Sequence, residues 1–393
     1  MNATVAGSVV GVARGILGVL LLFPATLPAQ ARRLTTPEAR YPESFDLIAG
    51  LRELSTGRVL VADGIGEVVV SLDASLSAAD TLGRKGKGPG EYTLPDRLLP
   101  LPGDRTLLLD LGNGRMTTIE ADGSFGESRT IAKDNGSGFS IIMPRASDDR
   151  GRLYYQPMGD MGGGFPDSAA IVRLMPGDPP VADTVARVRL QAVKTRTSGS
   201  ANNRSISMNP VPFSPRDAWA VAPDGSVALA RSGTGANGMY RLDWVLPDGS
   251  TIHGPVVSYR PVRIGRAEQQ EFFDQMDNGL GISISDDNGR RNISFGRNGG
   301  RRSQPDPAEY QWPRTKPAFP RNAVNVTPTG EVWVRLSTSA GEPWRFDVFD
   351  ARGNRTGEIV LPPDRRLVGF GRGVVYLVMV DEDGLQWLER YRL

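Results

Sequence analysis

One unit recurs six times along this chain: an alternating apolar run, a short polar turn and a second apolar run. The copies are 59–62 with 68–72, 106–109 with 116–119, 152–155 with 169–174, 227–230 with 239–245, 332–336 with 345–349, and 374–380 with 386–391. Alternation over four to seven residues around a turn reads as strand, loop, strand. Five copies continue through a second turn rich in Asp, Gly or Pro into another extended segment. Examples are Pro247-Asp248-Gly249-Ser250 before 255–259 and Asp350-Ala351-Arg352-Gly353-Asn354 before 358–361. Such turns supply the left-handed backbone positions that tight hairpins need.

The turn ahead of each pair carries a glycine, at Gly57, Gly103, Gly151, Gly225, Gly330 and Gly373, with successive spacings of 46, 48, 74, 105 and 43 residues. The short spacings match a four-stranded antiparallel blade, and six such blades predict an all-β, six-bladed β-propeller over residues 44–393. The sixth copy stops at Leu393 before any fourth strand. An unfinished sheet would leave an unpaired edge, so residues 44–49, ahead of the first unit, are expected to supply the missing outer strand and close the ring.

The two long spacings locate insertions at about 191–214 and 261–320 rather than extra domains. Both follow a blade's outermost strand, so both emerge on one face of the ring. The third unit's loop, 159–166 with Gly162-Gly163-Gly164, belongs there too. Long loops crowded at one mouth point to function more often than not. Inside the second insertion, 266–276 predicts the one short helix, with Phe272, Phe273 and Met276 able to share a face. It reads either as a lid over the mouth or as packing against the rim. Residues 286–302 are rich in Gly, Asn and Arg and read as partly unstructured.

Residues 1–31 have the layout of an export signal: Arg14, an apolar run at 15–23, Pro24, and a small-residue site at Ala29-Gln30-Ala31. The apolar run is far short of the ~20 residues a membrane-spanning helix needs. Residues 32–43 then read as a linker, and the mature chain as an exported, periplasmic or extracellular monomer. There is no cysteine, so a large apolar core must hold the fold without disulfides. The formal net charge of +2 gives no bulk attraction to nucleic acid or to an acidic membrane. Only five of the 46 cationic residues are lysines, a skew that reads as coding bias.

Composition also limits the chemistry. One histidine, His253, and no cysteine exclude zinc sites built on His and Cys clusters. His253 follows a predicted hairpin turn on the face opposite the long loops, which makes a Ser-His-Asp triad a poor reading. Asp63, Asp110 and Asp381 stand at equivalent blade positions, where repetition points to hydrogen bonds with turn backbone rather than to a metal. No cofactor is predicted, although an oxygen-ligated calcium is left open.

The stretch Gly83-Arg84-Lys85-Gly86-Lys87-Gly88-Pro89-Gly90-Glu91-Tyr92, followed by Leu94-Pro95, resembles the glycine-rich signature that joins blades in NHL-type repeats. It is also similar to a family of bacterial exported six-bladed propellers known mainly by fold. The resemblance implies the fold and says little of function, since propellers host unrelated activities. It makes the stretch an inter-blade turn. The same glycines and two lysines could in principle cradle phosphate, but the strand-to-helix context of such sites is missing.

Near the start of five inner strands a proline is followed closely by arginine: Pro95-Asp96-Arg97, Pro144-Arg145, Pro215-Arg216, Pro320-Arg321 and Pro363-Asp364-Arg365. Inner strands line the channel, so Arg97, Arg145, Arg216, Arg321 and Arg365 could ring its mouth and present guanidinium forks to an anion. They could equally form inter-blade ion pairs with Asp96, Asp217 and Asp364. The expected function is an extracytoplasmic binding module for an anionic small molecule, glycan or protein. The alternative is a calcium-dependent hydrolase or lactonase using residues such as Glu91, Asn322 and Asn325.

Overall fold

The computed structural model describes residues 1, 31–134, 139–157, 166–177, 180–200, 203–233, 238–277, 280–287, 290–297 and 306–393. The apolar run at 15–23, expected to belong to an export signal, and the Gly162-Gly163-Gly164 loop lie outside the described residues.

Six small antiparallel sheets stand around a ring. From inside to outside, blade 1 is Ile48–Glu53, Val59–Asp63, Val68–Leu72 and Ala79–Thr81, and blade 2 is Pro95–Pro100, Thr106–Asp110, Arg115–Ile119 and Phe125–Thr130. Blade 3 is Ala146–Ser147, Leu153–Tyr155, Ser168–Met175 and Val181–Arg189, and blade 4 is Ala218–Val221, Val227–Ser232, Met239–Val245 and Thr251–His253. Blade 5 has Val324–Val326, Val332–Arg335, Arg345–Phe349 and Arg355–Val360, and blade 6 has Arg365–Gly371, Val374–Val380 and Gln386–Arg392. The six anchoring glycines all sit in the 1–2 turns with φ between 68° and 92°, a region that strains any residue with a Cβ.

Middle strands of a propeller are covered on both faces by neighbouring blades, which is why Val59–Asp63 and Thr106–Asp110 are buried along their whole length. The core is accordingly divided. One apolar cluster fills each of the six blade interfaces, such as Tyr92, Leu98, Leu108 and Ile119 between blades 1 and 2 and Tyr240, Phe319, Val334 and Phe349 between blades 4 and 5. This is the large disulfide-free core that the composition demands.

Closure comes from the N-terminal side, but from earlier residues than 44–49. The outer strand of blade 6 is Ala39–Arg40, antiparallel to Gln386–Arg392, extended by a single bridge between Phe45 and Gln386. Ile48 and Ala49 instead open the innermost strand of blade 1. Nor is 32–43 a free linker: Ala31–Arg33 adds a fifth, parallel strand to blade 5. The physical reason is side-chain burial. Tyr41 and Phe45 pack in the interface of blades 6 and 1, and Leu34 packs in that of blades 5 and 6, so this stretch is spent on sealing two interfaces.

The insertions carry more order than their composition indicates. Strands Val193–Ser200 and Asn203–Pro210 from the first insertion join Leu280–Asp287 and Arg290–Arg297 from the second in one four-stranded sheet. Part of the segment read as unstructured is therefore a strand. The predicted helix spans Arg266–Asp277 and is called α1 below. At its start Gly265 donates its N–H to Glu268 at 2.9 Å, the backward half of a capping box.

Candidate functional site

The 4–1 connections and the 2–3 loops open on the same face, and there the structure brings four of the five candidate arginines together. Arg97 begins blade 2, Arg145 precedes blade 3, Arg216 precedes blade 4 and Arg321 precedes blade 5. Arg145 reaches across the mouth, donating to Gln156 Oε1 at 2.9 Å and to Asn322 Oδ1 at 2.6 Å, with its guanidinium 4.8 Å from the Trp219 ring centroid. Arg97 approaches the Pro144 carbonyl at 3.5 Å.

The electrostatics of this group are one-sided. Burial, followed by the positive fields of Arg97 and Arg321, pushes Arg145 down to about 10. Burial and then Arg321 push Arg216 down to about 10, and burial with Arg97 lowers Arg321. All three stay charged at neutral pH. Among the described residues the single carboxylate paired with the group is Asp96, 3.3 Å from Arg97 but without hydrogen-bond geometry. Burial raises the Asp96 carboxyl, an effect Arg97 only partly offsets. Among the described residues, the buried donors at Arg216 Nε, Gln156 Nε2 and Trp219 Nε1 have no hydrogen-bond partner. Surplus positive charge and unused donors are the complement of acceptor atoms.

Next to the mouth, a cavity of about 190 Å³ lies between α1 and blades 4 and 5. Arg216, Arg321, Arg335 and Lys316 line it, with Phe213, Phe272 and Trp344 as its aromatic walls. Arg335 stacks on Trp344 at 3.8 Å and is pushed down to about 10 by burial, against the pull of Glu271. Glu271 is the one carboxylate in the lining, and it is paired with the buried Lys316 at 2.5 Å. Helix α1 is fixed over this space by three devices. Glu268 accepts the Ala340 N–H at 3.2 Å, Lys316 also donates to the Thr338 carbonyl at 2.8 Å, and Phe272 and Phe273 enter an aromatic cluster with Phe213, Tyr310 and Trp312. Of the two readings of the helix, it walls a cavity beside the mouth and packs on the rim at once.

Arg365 is elsewhere. Its Nε and Nη2 donate to Glu389, at 3.1 and 3.2 Å, and hydrogen bonding to that carboxylate raises its pKa, with burial opposing. None of the expected inter-blade aspartate pairings is seen among the described residues: Asp96 meets Arg97 within one strand of blade 2, Asp217 takes Arg231 at 3.0 Å, and Arg365 takes Glu389 rather than Asp364. Glu91 is also not at the mouth. It accepts from the Gly88 N–H at 2.6 Å and from Arg84 at 2.8 Å inside the glycine-rich stretch. Arg115 donates to the Gly88 and Glu91 carbonyls, and a Cβ on Gly86 would overlap the Glu91 carboxylate, so this stretch is a packed inter-blade turn. Asn322 is occupied by Arg145, and Asn325 bonds the Ala323 carbonyl. Asp63 and Asp110 bind turn backbone, and each also holds the entry to its blade's inner strand, at Asp46 and Leu47 and at Thr93 and Leu94. Asp381 holds its own turn through Asp383 and Leu385. His253 stands exposed in the outermost strand of blade 4, 3.1 Å from Asp243.

Sequence reasoning missed Arg335, Lys316 and Trp344. Arg335 ends a second strand inside an otherwise ordinary Val-Arg-Leu run and carries no local signal. Lys316 did carry one: a lysine in a chain that almost always uses arginine, set among prolines and aromatics, marks a position that needs a single compact ammonium.

Among the described residues no group of three or more His, Asp or Glu is gathered as a metal site, and no helix is long and apolar enough to cross a membrane. No protein family and no curated protein matches the sequence. Among solved structures, the chain is similar to a calcium-binding protein, regucalcin, from Agrobacterium tumefaciens strain C58, at 11% identity and a TM-score of 0.42, covering 93% of this chain and 97% of that one. It is similar to a gluconolactonase from Xanthomonas campestris at 12% identity and 0.38, covering 93% and 99%. A virginiamycin B lyase from Staphylococcus aureus gives 10% and 0.38, covering 91% and 98%. At these values the likenesses carry no argument about this chain, whose propeller stands on its own strand pairing.

Proposed function

We propose that this protein is an exported propeller that binds an anionic ligand at its loop-bearing mouth. The observation that carries this reading is the convergence of Arg97, Arg145, Arg216 and Arg321 with Asp96 as the sole paired carboxylate among the described residues. Holding like charges together is unfavourable, and a bound oxyanion relieves the repulsion while filling the unused donors. The export-signal layout of residues 1–31 supports a place outside the cytoplasm.

The described donor set does not fit calcium at this mouth. That ion takes six to eight oxygen ligands, typically with several carboxylates. Here Asp96 is the one carboxylate paired within the cluster, and the surrounding guanidinium groups repel a cation.

Calorimetric titration of the full chain with inorganic phosphate and with acetate tests the reading. Binding is expected to weaken steeply with added salt and to fall at least tenfold in R216Q and in R321Q. Absence of arginine-dependent binding of either anion overturns it.

A further inference from the structure

We infer that the cavity under α1 holds the ring of a small aromatic anion whose charged group is gripped at the mouth by Arg216 and Arg321. This rests on the anion-binding reading above and names the ligand class. Arg216 and Arg321 belong both to the mouth cluster and to the cavity lining, so the same two side chains border both. An anion seated on these two side chains has the cavity directly beside it.

The cavity walls select what that anion carries. Phe213 and Phe272 face the space from the first insertion and from α1, their ring centroids 5.6 Å apart, and Trp344 faces it from blade 5. Three aromatic walls favour a flat apolar body over a hydroxyl-rich one. At about 190 Å³ the space is below the ~300–1,000 Å³ of pockets for drug-sized ligands, which limits the body to a single ring rather than a glycan chain or a peptide.

The charges agree with this. Lys316 already neutralises Glu271, so Arg216, Arg321 and Arg335 are left as the cavity's uncompensated charges among the described residues. Among the described residues, Arg216 Nε is buried without a hydrogen-bond partner. A carboxylate or a phosphate monoester satisfies such forks through the same paired oxygens.

The test compares probes on the wild-type chain by calorimetry: phenyl phosphate against inorganic phosphate, and benzoate against acetate. Each ring-bearing probe is expected to bind at least tenfold tighter than its ringless partner, and the better of the two pairs tells phosphate from carboxylate. S337F, which fills the cavity from the blade 5 loop, is expected to shrink the gap below threefold, with Q275W as a second filler from the helix side. Thermal unfolding checks that both variants are folded. Ring-bearing probes binding no tighter than ringless ones, while both still lose affinity in R321Q, overturn the cavity inference and leave the mouth reading standing. A gap that persists in the folded filler variants overturns it as well. If none of the four probes binds, the mouth reading fails and this inference fails with it.

Discussion

The arginines of blades 5 and 6 and those of the mouth are one residue type in two electrostatic settings. Arg355 is bound to Asp347 at 2.6 Å and to Glu358 at 3.1 Å, Arg345 is bound to Glu358, and Arg365 forks onto Glu389. These pairs lie within blades 5 and 6, and Tyr240 reaches from blade 4 to the same Asp347, so this one network stitches blade 4 to blade 5. At the mouth, Arg145 has two amide oxygens and an indole face instead, and Arg216 and Arg321 have no carboxylate among the described residues. The first set is complete without a ligand, and the second is left with surplus charge. Position relative to a carboxylate, more than residue identity, separates the neutralised arginines from those left with surplus charge.

The largest effect is expected at the most buried stitch. Asp347 is 2% exposed, and D347A would leave Arg355 Nε and the Tyr240 hydroxyl without their acceptor while Glu358 keeps Arg355 Nη2. A loss of about 3 kcal/mol in urea unfolding is expected; a loss under ~1 kcal/mol would deny that this network holds blade 4 to blade 5.

A sharper comparison sets R365Q against R321Q. The first strands Glu389, itself 2% exposed, and should cost about 1–2 kcal/mol. The second removes a charge repelled by Arg97, Arg145 and Arg216 and should leave stability unchanged or raised while anion affinity falls. Equal destabilisation of the two variants by chemical denaturation would break the distinction.

The smallest expected effect concerns pH. Burial pushes Glu268 up, but hydrogen bonds from Gly265 and Ala340 and the charge of Lys316 outweigh it and hold the carboxyl below its usual value. A lowered folded pKa means the stabilisation is fully present above the ordinary value of about 4.3 and is lost as pH falls through the depressed one. Amide exchange in α1 should therefore quicken below about pH 4 before the blades unfold. The mouth moves oppositely: with Arg145 and Arg216 near 10, affinity for a permanently charged anion should hold from about pH 6 to 8 and decline only above about 9. Earlier loss of α1 protection in E268Q at neutral pH would confirm the assignment, and unchanged exchange would refute it.

Much of the ring was legible because its signals are local. Period-2 alternation marks strands, and each anchoring glycine marks a turn that requires positive φ. The closing strand was misplaced by a few residues because Ala39–Arg40 is only two residues long and has no pattern of its own; its partner alone defines it. The insertion sheet was missed for a related reason. Asn203 pairs with Asp287 across more than eighty residues, in Ser-, Asn- and Gly-rich chain whose short alternations, at Ile206 and Met208, Leu280, Ile282 and Ile284, and Ile293 and Phe295, do not show which strand meets which.

What the sequence determined by itself was the repeat: six blade-sized units, their turns, the two insertions, the helix and the recurrent Pro and Arg at inner-strand starts. Only the tertiary structure decided which arginines meet a carboxylate. Arg365 and Arg321 both follow a proline near the start of an inner strand, yet Glu389 stands beside the first, and α1, Trp344 and Arg216 surround the space beside the second. Backbone propensity acts over a few neighbours and can be read along the chain. Pairing, repulsion and cavity shape act through space between residues scores of positions apart, and they exist only once the ring has closed.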